Sequence, residues 1–291
     1  NLPSYVVLKD QHPNAGPAAW SSGFLPSKHQ GVLFRTGAQP LFYLDNPEGV
    51  TRGQRKDVID TIGQMNDLAF DRYQDPEIQT RIAQYEMAYR MQTSAPELMD
   101  LSGESKRTLD SYGVKPGESS FASNCLLARR LIERGSRFVQ LYHTNWDSHG
   151  GPGENLNSDF EKVCKDVDQA SAALVLDLKE RGMLDDTLVI WGGEFGRTPM
   201  GENRKTVGRD HHIEAFTMWM AGGGIKGGVS LGQTDELGSA AVEKPLEVKH
   251  LHATILHQLG FDPNELHFHH AGLNEKLVGV EGADPITEII A

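Results

Sequence analysis

The sequence predicts an α/β fold in which a mostly parallel central sheet is flanked by helices. The first observation is the alternation of helical and extended patterns across residues 119–260. The second is that each long helical pattern stops at a glycine, the residue that most often follows a helix C-terminus. The predicted helices are residues 119–134, 158–181 and 245–259, and the predicted strands are residues 137–143, 187–191 and 216–221.

The N-terminal part of the chain has a different character. Residues 1–118 are predicted to be loop-rich and helical, and residues 119–291 to form the α/β core. Residues 5–8 are an apolar run typical of a short strand. The length suits one large domain or two small ones, and we expect both parts to belong to a single domain over residues 1–291.

Two helices are predicted within residues 51–100. In the first, Val58, Ile62, Met65 and Leu68 recur at spacings of three and four, as on the packing face of a helix. The second begins at Asp75-Pro76, where an aspartate can cap the helix and proline suits its first position.

Composition narrows the classes of partner. The net charge is −12 and the basic residues form no stripe, which argues against a nucleic-acid partner. No apolar run is long enough to cross a bilayer, so no membrane span is expected. The two cysteines, Cys125 and Cys164, lie in helical patterns with apolar neighbours and are predicted to be buried thiols rather than a disulfide.

Three glycine-flanked segments carry the residues suited to chemistry. They are Trp-Asp-Ser-His-Gly-Gly (146–151), Gly-Gly-Glu-Phe-Gly-Arg-Thr-Pro (192–199) and Gly-Arg-Asp-His-His (208–212). Carboxylates and imidazoles are the usual ligands of a metallohydrolase centre. Two of the segments follow predicted strands, and ligands of open α/β sheets lie beyond the carboxyl ends of strands. We therefore expect the segments to converge.

The first segment offers a pair of metal ligands. Asp147 and His149 are two residues apart, so in an extended segment their side chains point to the same side. We predict that both bind a metal. The alternative is an Asp-x-His loop that only caps the following helix.

The second and third segments supply the remaining candidates. Glu194 is predicted to be a metal ligand, a general base or an ion-pair partner of Arg197. Arg197 is a candidate clamp for sulfate, phosphate or carboxylate, with pairing to a carboxylate as the alternative. Adjacent histidines on a strand cannot both point inward, so His211 is preferred over His212 as the ligand, and Asp210 could orient an imidazole.

Two other kinds of site are disfavoured. The glycine run at residues 221–228 lacks the spacing of a phosphate-binding P-loop and no helical pattern follows it, so it is predicted to be a turn between strands. No Gly-x-Ser-x-Gly motif is present, which argues against an α/β-hydrolase serine triad.

The motifs together resemble a known bacterial family. Residues 191–199, 208–211 and 221–228 closely resemble the domain-of-unknown-function family numbered 1501, which is placed in the alkaline phosphatase/sulfatase-like superfamily. Residues 2–8, 125–131 and 251–257 match as well, so the resemblance covers nearly the whole chain.

The resemblance implies an alkaline-phosphatase-like fold with a two-metal site of zinc, calcium or manganese. By this resemblance Asp147, His149 and His211 look like the ligands of one metal, and Glu194 stands where many members have an aspartate for the second. That aspartate is usually followed by histidine, whereas Phe195 follows Glu194 here. Arg197 would stabilise charge on the transferred group.

The resemblance also sets expectations for function and location. It implies a metal-dependent hydrolase of sulfate or phosphate esters acting on a small anionic ester. The alternative is a catalytically degenerate metal-binding or structural/interaction protein with the same fold. The chain resembles the C-terminal portion of the family, whose members usually have the first strand and the nucleophile in a preceding segment. Either such a segment of the same protein supplies them, or this protein works without them. Family members often carry an export signal, which implies a periplasmic or exported protein.

Overall fold

The computed structural model describes residues 2–9, 11, 13–35 and 45–291. The chain divides into two compact units, which are taken one at a time below. The first comprises Asn1–Thr144 and Asp166–Leu174, and the second comprises Asn145–Lys165 and Val175–Ala291. The predicted single domain, with its division at residue 118, stays a prediction.

The first unit contains a small parallel sheet and several helices. Its elements are β1 (Tyr5–Lys9), β2 (Val32–Phe34), α1 (Arg52–Tyr73), α2 (Pro76–Met99), α3 (Lys106–Tyr112), α4 (Phe121–Glu133) and β3 (Phe138–Tyr142). The strand order is β2-β1-β3, and β1 pairs in parallel with both neighbours. The predicted strands near residues 5–8 and 137–143 are confirmed.

The central strand of this sheet is buried on both faces. Val6, Val7 and Leu8 of β1 have no exposed surface, as expected for a parallel strand covered on both sides. Leu98 of α2 and Leu131 of α4 are equally buried and belong to one apolar cluster with Val6 and Leu8. Burial of this cluster stabilises the pairing of strands that are far apart in sequence.

The predicted packing face of α1 is wrong by one position along the helix. Val58, Met65 and Leu68 are 53%, 65% and 73% exposed, whereas Ile59 is buried. The spacing of apolar residues did not specify which side of α1 would meet α2. The predicted start of α2 is confirmed, because the Asp75 side chain accepts a hydrogen bond from the backbone N–H of Glu77 at 3.0 Å.

The end of α2 is held by a buried guanidinium. Arg130 of α4 donates to the backbone carbonyls of Leu98, Glu97 and Asp100 at 2.8, 3.1 and 2.7 Å. Its remaining partner is the Glu104 carboxylate at 2.6 Å. Carbonyls at a helix C-terminus lack intrahelical donors, so a cation there satisfies them and opposes the helix dipole.

The second unit combines helices with two-stranded antiparallel sheets. Its elements are the two ends of α5 (Asp159–Glu180), whose residues Asp166–Leu174 belong to the first unit, and β4 (Val189–Trp191), β5 (Gly196–Gly201), β6 (Arg209–His212), β7 (Trp219–Ala221), β8 (Gln233–Thr234), β9 (Ala241–Glu243), α6 (Val248–Gln258), β10 (His267–His270) and β11 (Leu273–Lys276). The strand pairs are β4–β7, β5–β6, β8–β9 and β10–β11. The three predicted helices correspond to α4, α5 and α6.

The chain is therefore a mixed α/β protein, but its parallel sheet is smaller than predicted. Among the described residues the parallel sheet has three strands, and β4 pairs antiparallel with β7. Parallel pairing requires a long crossover, usually a helix, whereas residues 192–218 fold back on themselves through β5 and β6. The strands β1, β3, β4 and β7 lie where they were predicted, but most of the short antiparallel strands were not predicted and the pairing of β4 was wrong.

The prediction that both cysteines are buried thiols is confirmed for Cys125 and only in part for Cys164. Both cysteines are free; Cys125 is buried, and burial raises the pKa of its thiol, while Cys164 is half-buried. In the described part of the chain, no helix combines the length and apolarity that a membrane crossing needs.

We expect Arg130→Met to lower the free energy of unfolding by about 3 kcal/mol, the lower end for breaking a buried ion pair, because Arg129 still contacts Glu104 at 2.7 Å. Urea unfolding followed by circular dichroism measures the change. The matched control is Lys106→Met, which removes an exposed pair with Asp110 and should cost less than about 1 kcal/mol. Equal losses in the two variants would contradict the capping role of Arg130.

Candidate metal centre

Two chain segments of the second unit form the candidate site. Asp147 and His149 lie in the loop that precedes α5. Arg197 and His211 lie on β5 and β6 and are direct partners across that hairpin. Cross-strand partners on one face have neighbouring side chains, so the hairpin presents a cation and an imidazole together.

Three ligand-type atoms converge at this point. The Asp147 Oδ1 atom lies 3.0 Å from His149 Nε2 and 2.7 Å from His211 Nε2. The two imidazole nitrogens are 3.1 Å apart. Two atoms that each lie about 2.1 Å from one ion are at most about 4.2 Å apart, so all three can contact the same ion. The structure thus brings together the residues predicted for the first metal.

His149 has a second carboxylate on its other ring nitrogen. Its Nδ1 atom lies 2.6 Å from Glu202 Oε1 and 3.7 Å from Asp210 Oδ1. A carboxylate on the far nitrogen of a ligating imidazole is a recurrent feature of metal sites. Glu202 was not among the predicted site residues, because no motif marks it and it lies beyond the glycine-flanked segment at residues 192–199.

Asp210 has a backbone partner of its own. Its Oδ1 atom accepts a hydrogen bond from the backbone N–H of His211 at 2.9 Å. The imidazole near it is that of His149. The neighbouring His212 places Nε2 at 2.8 Å from the carbonyl of Ser239, away from the Asp147 carboxylate that His211 contacts. The choice of His211 over His212 therefore agrees with the geometry.

Arg197 contacts the same carboxylate as the two histidines. Its Nη2 atom donates to Asp147 Oδ1 at 2.9 Å and to the carbonyl of Trp146 at 3.1 Å. Its Nη1 atom is 3.5 Å from His149 Nε2. The predicted pairing of Arg197 with a carboxylate is thus observed, with Asp147 as the partner. Its role as an anion clamp stays a prediction.

Glu194 does not join this group. It is exposed in the turn after β4, and neither cluster of metal-type ligands found among the described residues includes it. Its neighbour Phe195 packs against His211 instead, with ring centroids 4.3 Å apart. The aromatic ring limits the orientations open to that imidazole. A role for Glu194 in a second metal site stays a prediction.

The charges at the site are strongly coupled. The pKa of Asp147 falls from 3.8 to about 2, chiefly because His211 hydrogen-bonds to it and also because Arg197 lies beside it. The pKa of His149 is raised, chiefly by its hydrogen bond with Glu202 and further by Asp147. Asp147 is therefore stabilised in its ionised form, and a negative carboxylate favours positive charge beside it.

A close backbone contact holds the two segments together. Arg209 donates its backbone N–H to the carbonyl of Ser148 at 2.8 Å, and the Thr206 hydroxyl donates to the carbonyl of Gly150 at 2.5 Å. Gly208 lies between them. A Cβ atom added there would lie 2.0 Å from the Gly150 nitrogen and 2.0 Å from the His149 carbonyl carbon. Only glycine permits this approach.

Aromatic side chains surround the start of the loop. Trp146 makes edge-on contacts with Phe160 and Trp191, with centroids 5.7 and 5.9 Å apart. Trp191 stacks on its cross-strand partner Trp219. These contacts fix the backbone immediately before Asp147.

Comparisons with known proteins give one result. The family model described as protein of unknown function (DUF1501) matches residues 1–290. No curated protein and no solved structure matches the chain.

We expect Gly208→Ala to separate the hairpin from the loop. The clash is with backbone atoms, so the cost should reach about 3 kcal/mol of unfolding free energy, and zinc affinity should fall at least about tenfold. Chemical unfolding and zinc titration measure both. Gly227→Ala is the control, since an added Cβ there meets nothing within 4 Å. Tight zinc binding by Gly208→Ala would show that the close approach is dispensable.

We expect the stability of the metal-free protein to depend on Asp147 in acid. A carboxyl whose pKa is lowered from 3.8 to about 2 stabilises the folded state above pH 3.8, and this contribution is lost as the pH falls through about 2. The difference in unfolding free energy between the original protein and Asp147→Asn should therefore shrink across that range. Urea unfolding at a series of pH values measures it, and a constant difference would contradict the assignment.

Proposed function

We propose that this chain, which belongs to the family of proteins of unknown function DUF1501, is a metal-dependent hydrolase of sulfate or phosphate esters. The observation that carries the proposal is the convergence of Asp147, His149 and His211 within 2.7–3.1 Å beside the Arg197 guanidinium. A cation site next to an arginine suits an anionic ester, because both bind its oxygens.

The donor set favours some metals over others. Two imidazoles and one carboxylate suit zinc and related transition metals, whereas calcium prefers oxygen ligands alone. Of zinc, calcium and manganese, zinc therefore fits Asp147, His149 and His211 best. When bound, such an ion polarises an ester oxygen and increases the acidity of a coordinated water.

Residues beside the metal site have proposed roles in binding the substrate and in limiting side-chain movement. Arg197 is 24% exposed and lies 2.9 Å from Asp147, so its guanidinium is placed to hold the oxygens of a sulfate or phosphate group beside the ion site. Phe195 and the tryptophans around Trp146 limit side-chain movement. A fixed orientation of the reacting groups is what a site of this kind needs from its surroundings.

The proposal assigns no nucleophile among the nearby hydroxyls. Ser148 is only 3% exposed. The Thr198 hydroxyl donates to the carbonyl of Met200 at 2.9 Å and accepts from the backbone N–H of Asp210 at 3.1 Å. Ser148 is therefore buried and the Thr198 hydroxyl is engaged by backbone groups, so neither is proposed as the nucleophile.

Fold relationship, location and partners also remain proposals. The alkaline-phosphatase-like relationship rests on the motifs, and the three-stranded parallel sheet is smaller than the central sheet it implies. A periplasmic or exported location rests on the same resemblance. The proposed substrate is a small anionic ester, and nucleic acid is not proposed as a partner.

A second candidate is a degenerate member that binds metal without turnover. The pairing of Arg197 with Asp147 favours it, because an arginine engaged by a ligand carboxylate is less free to hold a substrate. Phe195 favours it too, since it packs on His211 where many superfamily members have a further histidine.

Metal analysis joined to an ester screen tests the proposal. We expect the protein to bind zinc and to hydrolyse an aryl phosphate or an aryl sulfate. His211→Ala should weaken zinc binding by at least about 100-fold, since it removes a ligand, whereas His257→Ala, an exposed histidine on α6, should not change it. Arg197→Lys should keep the metal and lower kcat/KM by about 100-fold.

Each outcome separates the candidates. Failure to bind any divalent metal would refute the site and both functions. Zinc binding without turnover of either ester would favour the degenerate candidate. Loss of a second metal equivalent in Glu194→Gln would show that Glu194 serves a second ion.

A further inference from the structure

His149 lies between two carboxylates, one on each ring nitrogen. Nε2 faces Asp147 Oδ1 at 3.0 Å and Nδ1 faces Glu202 Oε1 at 2.6 Å. A neutral imidazole carries one N–H, and the partner of each nitrogen decides which one holds it. The shorter contact is with Glu202, which therefore favours the proton on Nδ1 and leaves the Nε2 lone pair facing Asp147 and His211.

Glu202 is itself held in place by two contacts. Its Oε2 atom accepts a hydrogen bond from Arg204 Nε at 2.7 Å, and its Oε1 atom is the one that meets His149. Its side chain is 21% exposed, and that of His149 is 18% exposed. The charge of Glu202 is thus shared between a guanidinium and an imidazole, and its two oxygens have separate partners.

The backbone ties Glu202 to the same contact that positions His149. Glu202 donates its N–H to the carbonyl of Gly208 at 3.2 Å. Gly208 in turn packs directly on the backbone of His149 and Gly150. The carboxylate and the imidazole are therefore placed by one turn of the chain, so their short contact does not depend on a flexible surface side chain.

We propose that Glu202 is a positioning residue that holds His149 with a protonated Nδ1 and directs Nε2 to the metal. The inference rests on the proposed metal site. It assigns Glu202 a role through His149 rather than a bond to the ion. A ligating imidazole oriented in this way loses less freedom on binding and is more basic, which raises metal affinity.

A rival arrangement would use the same residues differently. Glu202, Asp210 and the His149 Nδ1 atom lie close enough to hold a second cation. The observed partners oppose this, because Arg204 engages Glu202 and the backbone N–H of His211 engages Asp210. Asp210 is also 3.7 Å from Nδ1, more than 1 Å farther than Glu202. We therefore assign one ion to the site, on the Nε2 side.

The test compares Glu202→Ala, Glu202→Gln and the control Asp210→Asn in the full chain. Zinc and cobalt affinities are measured by competition with a chromophoric chelator, and the visible spectrum of bound cobalt reports its geometry. We expect Glu202→Ala to weaken both affinities by about 10- to 100-fold and to alter the cobalt spectrum. Glu202→Gln keeps an acceptor for the Nδ1–H group, so its metal affinities should lie between those of the unsubstituted protein and Glu202→Ala. Asp210→Asn should stay within about twofold of the original protein, since Asp210 lies outside hydrogen-bonding distance of Nδ1.

A second readout addresses the proton directly. Two-bond ¹⁵N–¹H correlation spectra of the zinc-loaded protein should show His149 protonated at Nδ1, with the signal identified by its loss in His149→Ala. In metal-free Glu202→Ala we expect the preference of His149 for the Nδ1-protonated tautomer to be weaker than in the metal-free unsubstituted protein. Circular dichroism shows whether each variant is folded. If Glu202→Ala does not fold, the comparison is made with Glu202→Gln.

The outcomes are separable from those of the proposed function. If the original protein binds no metal, the proposed function fails at its first step. If it binds metal and Glu202→Ala binds it equally well with an unchanged cobalt spectrum, only the positioning role is overturned. Loss of a whole metal equivalent in Glu202→Ala or Asp210→Asn would overturn it in favour of the second-cation arrangement.

Discussion

The site depends on a contact between two stretches of backbone that no side chain separates. Gly208 lies so close to His149 and Gly150 that an added methyl group would overlap both. The contact carries hydrogen bonds on either side, from Arg209 to Ser148 and from Thr206 to Gly150. It therefore fixes the β5–β6 hairpin against the loop before α5 with little freedom to slide.

The placement of the charged groups follows from that contact. The hairpin brings His211 and Arg197 to Asp147 from one side and Glu202 to His149 from the other. Asp147 is the only one of these groups that receives three cationic or imidazole partners at once, which explains its lowered pKa. A metal ion would replace part of this positive charge at the same carboxylate, so the folded chain already has the electrostatic balance that an ion would require.

Local patterns predicted the longer helices and the strands β1, β3, β4 and β7, but they did not predict how the strands pair. Helices at α4, α5 and α6 end where glycine stops were recognised, and the aspartate and proline at the start of α2 cap it as expected. The packing face of α1 was wrong, because Val58 and Ile59 are adjacent and the apolar spacing alone did not separate the two faces. The large parallel sheet was wrong as well, because the chain after β4 returns through a hairpin and pairs antiparallel.

By itself the sequence determined the longer helices, the strands β1, β3, β4 and β7, and the residue types at the site. Hydrophobic period, capping residues and glycine stops act over a few neighbouring positions, and Asp147, His149 and His211 stand out in short glycine-flanked motifs. Only the tertiary structure decided that Glu202 faces His149, that Arg197 pairs with Asp147 and that Glu194 lies apart. His149 and Glu202 are 53 positions apart in the chain, and their contact exists because a glycine lets two backbones approach. Such an approach depends on the path of the whole hairpin, which no local pattern encodes.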